Sequence, residues 1–155
     1  MAWSGSKVFV RAVSDMLDNI AAIDLGSDVP KVALYNNTPT PDSTVVSAST
    51  AYNVGQWVTA NEVFQAGQWA QGGVALAGFT LGISASTVTY DANDTASGSA
   101  ATLSNAFGAL VYDDTLTTPV ADQGLSYNYF GGANSVTNGS FTVVWNAAGI
   151  FRFVA

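Results

Sequence analysis

The sequence predicts a mainly β protein, an antiparallel β-sandwich or barrel carrying one N-terminal α-helix. Two patterns predict the strands. From Val29 onward, short apolar or alternating runs recur at fairly regular spacing. Most of these runs are closed by Gly, Pro, Asn or Asp, the residues that supply turn geometry. A third pattern predicts the helix: before Val29, apolar residues recur at spacings of three and four.

The helix is predicted within SKVFVRAVSDMLDNIAAID. Phe9, Val13, Met16, Leu17 and Ile20 form its apolar stripe, with Arg11, Ser14, Asp15 and Asp18 between them. Ser4 or Ser6 is the candidate cap. Two aspartates near its end oppose the helix dipole. A strand from Val8 to Val13 is the competing reading.

The first predicted strand is Lys-Val-Ala-Leu-Tyr, ending at Asn36-Asn37 and a Thr-Pro-Thr-Pro-Asp loop. Residues 43–50 are small and polar and read as an exposed loop. Residues 53–73 carry Trp57 and Trp69, each in a Gly-Gln-Trp triplet, an echo too short to be a repeat. Strands follow at 74–83 and 87–91, with a polar loop at 92–100. FGALVY, residues 107–112, reads as a buried strand stopped by Asp113-Asp114, with Pro119 in the next turn. Residues 125–130 form a strand expected to end at Gly131-Gly132. Asn138-Gly139 is a hairpin-turn signal leading into a strand at 141–145. Residues 149–154 supply the last strand. No linker interrupts the pattern, so residues 1–155 read as one domain.

Composition narrows the function. Of 155 residues, 48% are hydrophobic, enough for an ordinary core. Only 10% are charged, against about 25% in a typical soluble domain. Four cations (Lys7, Arg11, Lys31 and Arg152) face eleven carboxylates, for a net charge of -7. No basic patch can form, so neither nucleic acid nor an anionic membrane surface is an expected partner. Without Cys there are no disulfides, thiolates or Cys-type zinc sites. Without His the usual general base and the commonest transition-metal ligand are missing. No signal peptide is expected from MAWSGSKVFV, and no apolar run is long enough to span a membrane. The composition points away from an enzyme, and no cofactor is expected.

The remaining reactive groups are carboxylates. Asp113 and Asp114 are adjacent, so on a strand they face opposite ways and cannot share a proton; they read as a turn pair. Asp91 and Asp94, with Asn93, offer oxygens to calcium but lack the register of an EF-hand loop. Glu62 is the only glutamate, so no glycosidase pair exists. No Ser-x-x-Lys, GxGxxG or Walker motif occurs. Asn-x-Ser/Thr triplets begin at Asn36, Asn93 and Asn138, and carry no meaning without secretion. Among the aromatics, Phe141 and Trp145 read as core. Trp3, Phe9, Trp57 and Trp69 are the candidates for contacts with a neighbouring subunit or another protein surface, core being their competing reading. Trp57 and Trp69 are also candidates to stack on sugar rings.

Several blocks together carry a resemblance. They are Lys31-Val32-Ala33-Leu34-Tyr35-Asn36-Asn37 with its Thr/Pro/Asp loop, Ala51-Tyr52, Asn61-Glu62-Val63, and Ala70-Gln71-Gly72-Gly73-Val74-Ala75-Leu76. Tyr90-Asp91-Ala92-Asn93-Asp94, Gly108-Ala109-Leu110-Val111-Tyr112-Asp113-Asp114, Tyr129-Phe130-Gly131-Gly132 and Asn138-Gly139-Ser140-Phe141-Thr142-Val143 complete the set. In this order they resemble small virion structural proteins of tailed bacteriophages, those of actinobacterial phages in particular. The resemblance implies a head decoration protein on the outer surface of the capsid, often a trimer, with the major capsid protein and its own copies as partners. It implies no catalytic residues. A tail tube or fibre subunit, and a virion carbohydrate-binding module, are the alternatives; a cell-wall hydrolase ranks last.

Overall fold

β-Branched, aromatic and aliphatic residues fill the strands, as half-buried pleated surfaces require. The computed structural model describes residues 3–155. Its elements run β1 (Lys7–Val8), α1 (Val10–Leu17), β2 (Lys31–Tyr35), three 3₁₀ turns (Ser47–Ser49, Gly55–Trp57 and Thr59–Asn61), β3 (Glu62–Val63) and β4 (Val74–Ala75). Then come β5 (Thr80–Ser84), β6 (Thr87–Asp91), β7 (Thr95–Ala96), β8 (Ala101–Tyr112), β9 (Gly124–Gly139), β10 (Thr142–Val143) and β11 (Phe151–Val154).

The largest sheet has the order β1-β9-β8-β2-β3. β3 and β4 share one edge of β2, β3 along Leu34–Tyr35 and β4 along Lys31–Val32. β2 lies inside this sheet, and Val32, Ala33, Leu34 and Tyr35 are all buried, as expected of a continuous apolar run. A second sheet pairs β10 with β7, and a third has the order β11-β6-β5. Every pairing is antiparallel, and the architecture is an open, sandwich-like one rather than a closed barrel. One buried cluster draws on all three sheets: Leu34 and Leu110 from the first, Val143 from the second, Tyr90 and Phe151 from the third.

The helix is shorter than its periodicity predicts. Lys7 and Val8 pair with Tyr127 and Ser126 of β9, so the chain is a strand before it is a helix. Ser6 does not cap α1; its hydroxyl accepts the Tyr129 N–H at 2.9 Å. The helix stops at Asp18, and Asn19 takes a left-handed φ of 53°. The predicted apolar stripe is kept in part: Phe9 and Met16 reach the core, but Leu17 and Ile20 do not. Phe9, Ala12 and Asp15 are buried, whereas Val10, Leu17 and Ile20 point outward.

Four further boundaries differ from the sequence pattern. The predicted run 74–83 divides where Gly78 turns with φ 60°, placing β4 in the large sheet and β5 in the third. The polar stretch 92–100 contains β7, held because Ser97 exchanges hydrogen bonds with the backbone of Phe141. β9 does not end at Gly131-Gly132. Two steps on β8 face five on β9 there, so the glycines lie in a bulge that lets a 16-residue strand continue. Asn138-Gly139 is no hairpin: Gly139 still pairs with Ala101, and the next strand, shortened to Thr142–Val143, pairs with β7 instead. Residues 43–50 are not wholly exposed either. Ser43 and Thr50 are buried, and the Thr50 hydroxyl accepts the Gly124 N–H at 3.1 Å.

Candidate functional site

The aromatic residues singled out for contacts lie inside the chain. Trp3, Phe9, Trp57 and Trp69 are each 0% exposed, which corrects their assignment to an interface. The first three form one edge-on cluster. Trp3 meets Trp57 at 5.8 Å, and Phe9 meets Trp57 at 6.2 Å and Tyr127 at 5.3 Å. Trp3 reaches the core because Gly108 leaves room for it; a Cβ there would stand 2.5 Å from the indole ring. Its N–H donates to the Asn36 carbonyl at 2.9 Å, satisfying the one polar atom it buries. Trp69 packs edge-on against Phe141 at 6.0 Å. Neither Trp57 nor Trp69 presents a face to a sugar. Phe141 is buried as predicted, and Trp145 is half-buried against the same core.

The carboxylates are used to join segments. Glu62 is buried on β3. One oxygen accepts the Tyr52 hydroxyl at 2.9 Å, the other the Gly72 N–H at 2.7 Å. Burial pushes its carboxyl above the ordinary range, and these two donors oppose that shift. Tyr112 stacks on Tyr52 at 4.9 Å and donates to the Gly72 carbonyl at 2.5 Å. The next residue, Gly73, has φ 86°, and a Cβ there would lie 2.2 Å from the Val32 carbonyl oxygen. Glu62 therefore ties residues 52 and 72 to β3 where glycine alone fits against β2.

Asp15 does the same for α1. Its Oδ2 accepts the Ser47 hydroxyl at 2.6 Å and the Gln123 amide at 2.9 Å. Asp113 and Asp114 follow the end of β8 in a turn, as their reading as a turn pair predicts, with Asp113 inward and Asp114 outward. Asp113 is fully buried, with Oδ1 accepting the Thr115 N–H at 2.9 Å and its hydroxyl at 2.6 Å. Burial, above all, raises its carboxyl, and the nearby Asp28 carboxyl adds to the rise. Asp114 instead pairs with Lys31 at 2.8 Å on the surface, a contact of little energetic weight. Two of the calcium candidates are engaged within the chain. Asp94 Oδ1 accepts the Trp145 N–H at 3.0 Å, and the Asn93 amide packs over Gly78. Among the described residues no three His, Cys, Asp or Glu side chains gather as metal ligands.

Three outward features carry apolar side chains. A groove beside β9 and β10 is lined by residues such as Tyr129, Phe130, Val136 and Phe141, with neither a carboxylate nor an amine. On α1, Val10 and Leu17 stand out from the surface, Leu17 at 85% exposure, beside Val8 and Val13. On the third sheet Leu81 and Ile83 do the same. Sequence periodicity missed these positions because it marks a residue as apolar without showing which apolar face is covered.

Comparison with known proteins found no matching family model, no matching curated protein and no matching solved structure.

Proposed function

We propose that this chain is a non-enzymatic structural protein of a bacteriophage virion, which decorates the outer surface of the head. Its partners are the major capsid protein and further copies of itself, a trimer being the assembly the resemblance implies. The observation that carries the reading is the division of labour among the side chains. Glu62, Asp15 and Asp113 are engaged in hydrogen bonds within the chain, while the large side chains Val10 and Leu17 on α1, and Ile20 just after it, are turned outward. A face of this kind suits docking on another protein surface.

The mechanism is physical. A symmetric shell repeats one shallow site many times. A rigid β domain seated across two capsomers adds buried area at each junction, and an oligomer multiplies weak contacts through effective concentration. The acidic balance of the chain keeps free subunits soluble and away from the packaged DNA. On this reading the α1 face meets the shell.

Cryo-electron microscopy of the intact virion at side-chain resolution tests it. Density for the chain on the outside of the head, with Leu17 against the capsid protein, is the expected result. Density confined to the tail makes it a tube or fibre subunit and ends the decoration reading.

A further inference from the structure

The third sheet ends in an edge that none of the described residues covers. β5 lies outermost in the order β11-β6-β5 and, among the described residues, pairs with β6 alone. All five of its residues are exposed. An outer strand carries a row of unpaired backbone N–H and C=O groups, which soluble proteins ordinarily guard with a charge, a proline or a bulge. β5 has none of these. Its sequence is Thr-Leu-Gly-Ile-Ser, and its ladder with β6 runs through five positions without a register shift. Leu81 and Ile83 are 47% and 81% exposed and share one face. Ile83 stands beside Val88, which stands beside Phe153, so an apolar row crosses the sheet and ends at this edge.

The strand is also complementary to itself. Leu81 and Ile83 flank Gly82, and Thr80 and Ser84 flank those. Two β5 strands laid antiparallel about a two-fold axis through Gly82 set Leu81 opposite Ile83 and Thr80 opposite Ser84, in both halves. Apolar meets apolar and hydroxyl meets hydroxyl, the favourable cross-strand pairs. Gly82 meets Gly82 without side chains. Charge does not oppose the contact. The chain carries a net -7, yet β5 has no charged side chain, and the one carboxylate of this sheet, Asp91, sits on β6 at the end away from the hairpin turn.

We propose that β5 is the strand through which two copies of this chain pair edge to edge, joining their three-stranded sheets into one six-stranded sheet. The self-complementary pattern favours a second copy over an unrelated extended peptide. The contact is isologous, so it closes at two copies and does not grow into a filament. Five residues a side is far short of the roughly 20–30 of a standard stable interface, so the pair is weak in dilute solution. It strengthens wherever copies are held side by side. The inference stands on the isolated chain and does not depend on the virion reading.

The sequence contains no cysteine, so an introduced thiol is unique. At Gly82 a Cβ meets nothing within 4 Å, and Gly82→Cys is expected to fold normally. In the two-fold register its sulfur faces its own counterpart. Ser84 is exposed, so Ser84→Cys is expected to fold as well, but it lies about 13 Å from its counterpart, beyond disulfide reach. Under mild oxidation Gly82→Cys should form the covalent dimer faster than Ser84→Cys, by on the order of tenfold or more. Adding Ile83→Lys to Gly82→Cys should abolish that advantage, while adding Leu17→Lys on α1 should leave it intact. Circular dichroism confirms the fold of each variant. Equal rates for the two thiols overturn the proposal, as does an advantage that survives Ile83→Lys or disappears with Leu17→Lys.

Discussion

Trp3→Ala should cost this protein a large part of its stability, although the residue lies so close to the start of the sequence. Positions that near a terminus ordinarily fray and contribute little. Here the side chain is fully buried, edge-on to Trp57 at 5.8 Å and to Tyr127 at 6.3 Å, and stacked on Tyr129 at 6.4 Å. Emptying such a site costs about 3–5 kcal/mol. Losing the indole N–H leaves the Asn36 carbonyl without its donor, which adds about 1 kcal/mol. At roughly 2–4 °C per kcal/mol for a domain of this size, the Tm should fall by roughly 8–24 °C. Urea unfolding followed by far-UV circular dichroism reads the change without relying on the fluorophore that is removed. Gly108→Ala, whose Cβ would press on the Trp3 ring, should be less harmful in the Trp3→Ala background than in the native chain. A loss below about 1 kcal/mol, with an unchanged m-value, would refute the reasoning and return Trp3 to the surface.

Other expectations follow from the same structure. Gly73→Ala should destabilise by about 3 kcal/mol or more, since it combines φ 86° with a Cβ 2.2 Å from the Val32 carbonyl oxygen. Gly82→Ala, with open space around it, should stay within about 0.5 kcal/mol of native in the same urea titration. Glu62 and Asp113 have carboxyls raised by burial, so between the unfolded range near pH 4 and their raised folded values the folded chain holds more protons. Stability therefore falls as pH rises through that window, and the Tm should be higher near pH 5 than at neutral pH. Glu62→Gln should flatten the slope; a Tm that climbs steadily from pH 5 to neutrality in the native chain would contradict the burial argument.

Much of the fold is legible in local chemistry. Lys31–Tyr35 announces a buried strand because a run of apolar and aromatic residues closed by two asparagines has few other uses. Asp113-Asp114 ends β8 as turn chemistry requires, one carboxylate inward and one outward. Other boundaries were not legible. Gly131-Gly132 looks like a stop, yet the long ladder with β8 absorbs it as a bulge. Asn138-Gly139 looks like a hairpin, but Ser97 and Phe141 bind each other's backbone and draw the following strand to β7. The outward faces were hidden for a related reason. Leu17 and Ile83 have the spacing of core residues, and spacing cannot show that no neighbour lies across from them.

By itself the sequence determined the β-rich class, the turn after β8 at Asp113-Asp114 and the scarcity of ionisable groups, because propensity, backbone freedom and charge belong to the residues themselves. Tertiary structure alone decided that Trp3, Phe9, Trp57 and Trp69 are core and what Glu62 and Asp15 bind. Burial and proton affinity belong to a residue's neighbours in space. Trp3 is inside because Gly108 lies beneath it, and Glu62 is a tether because Tyr52 and Gly72 converge on it from either side.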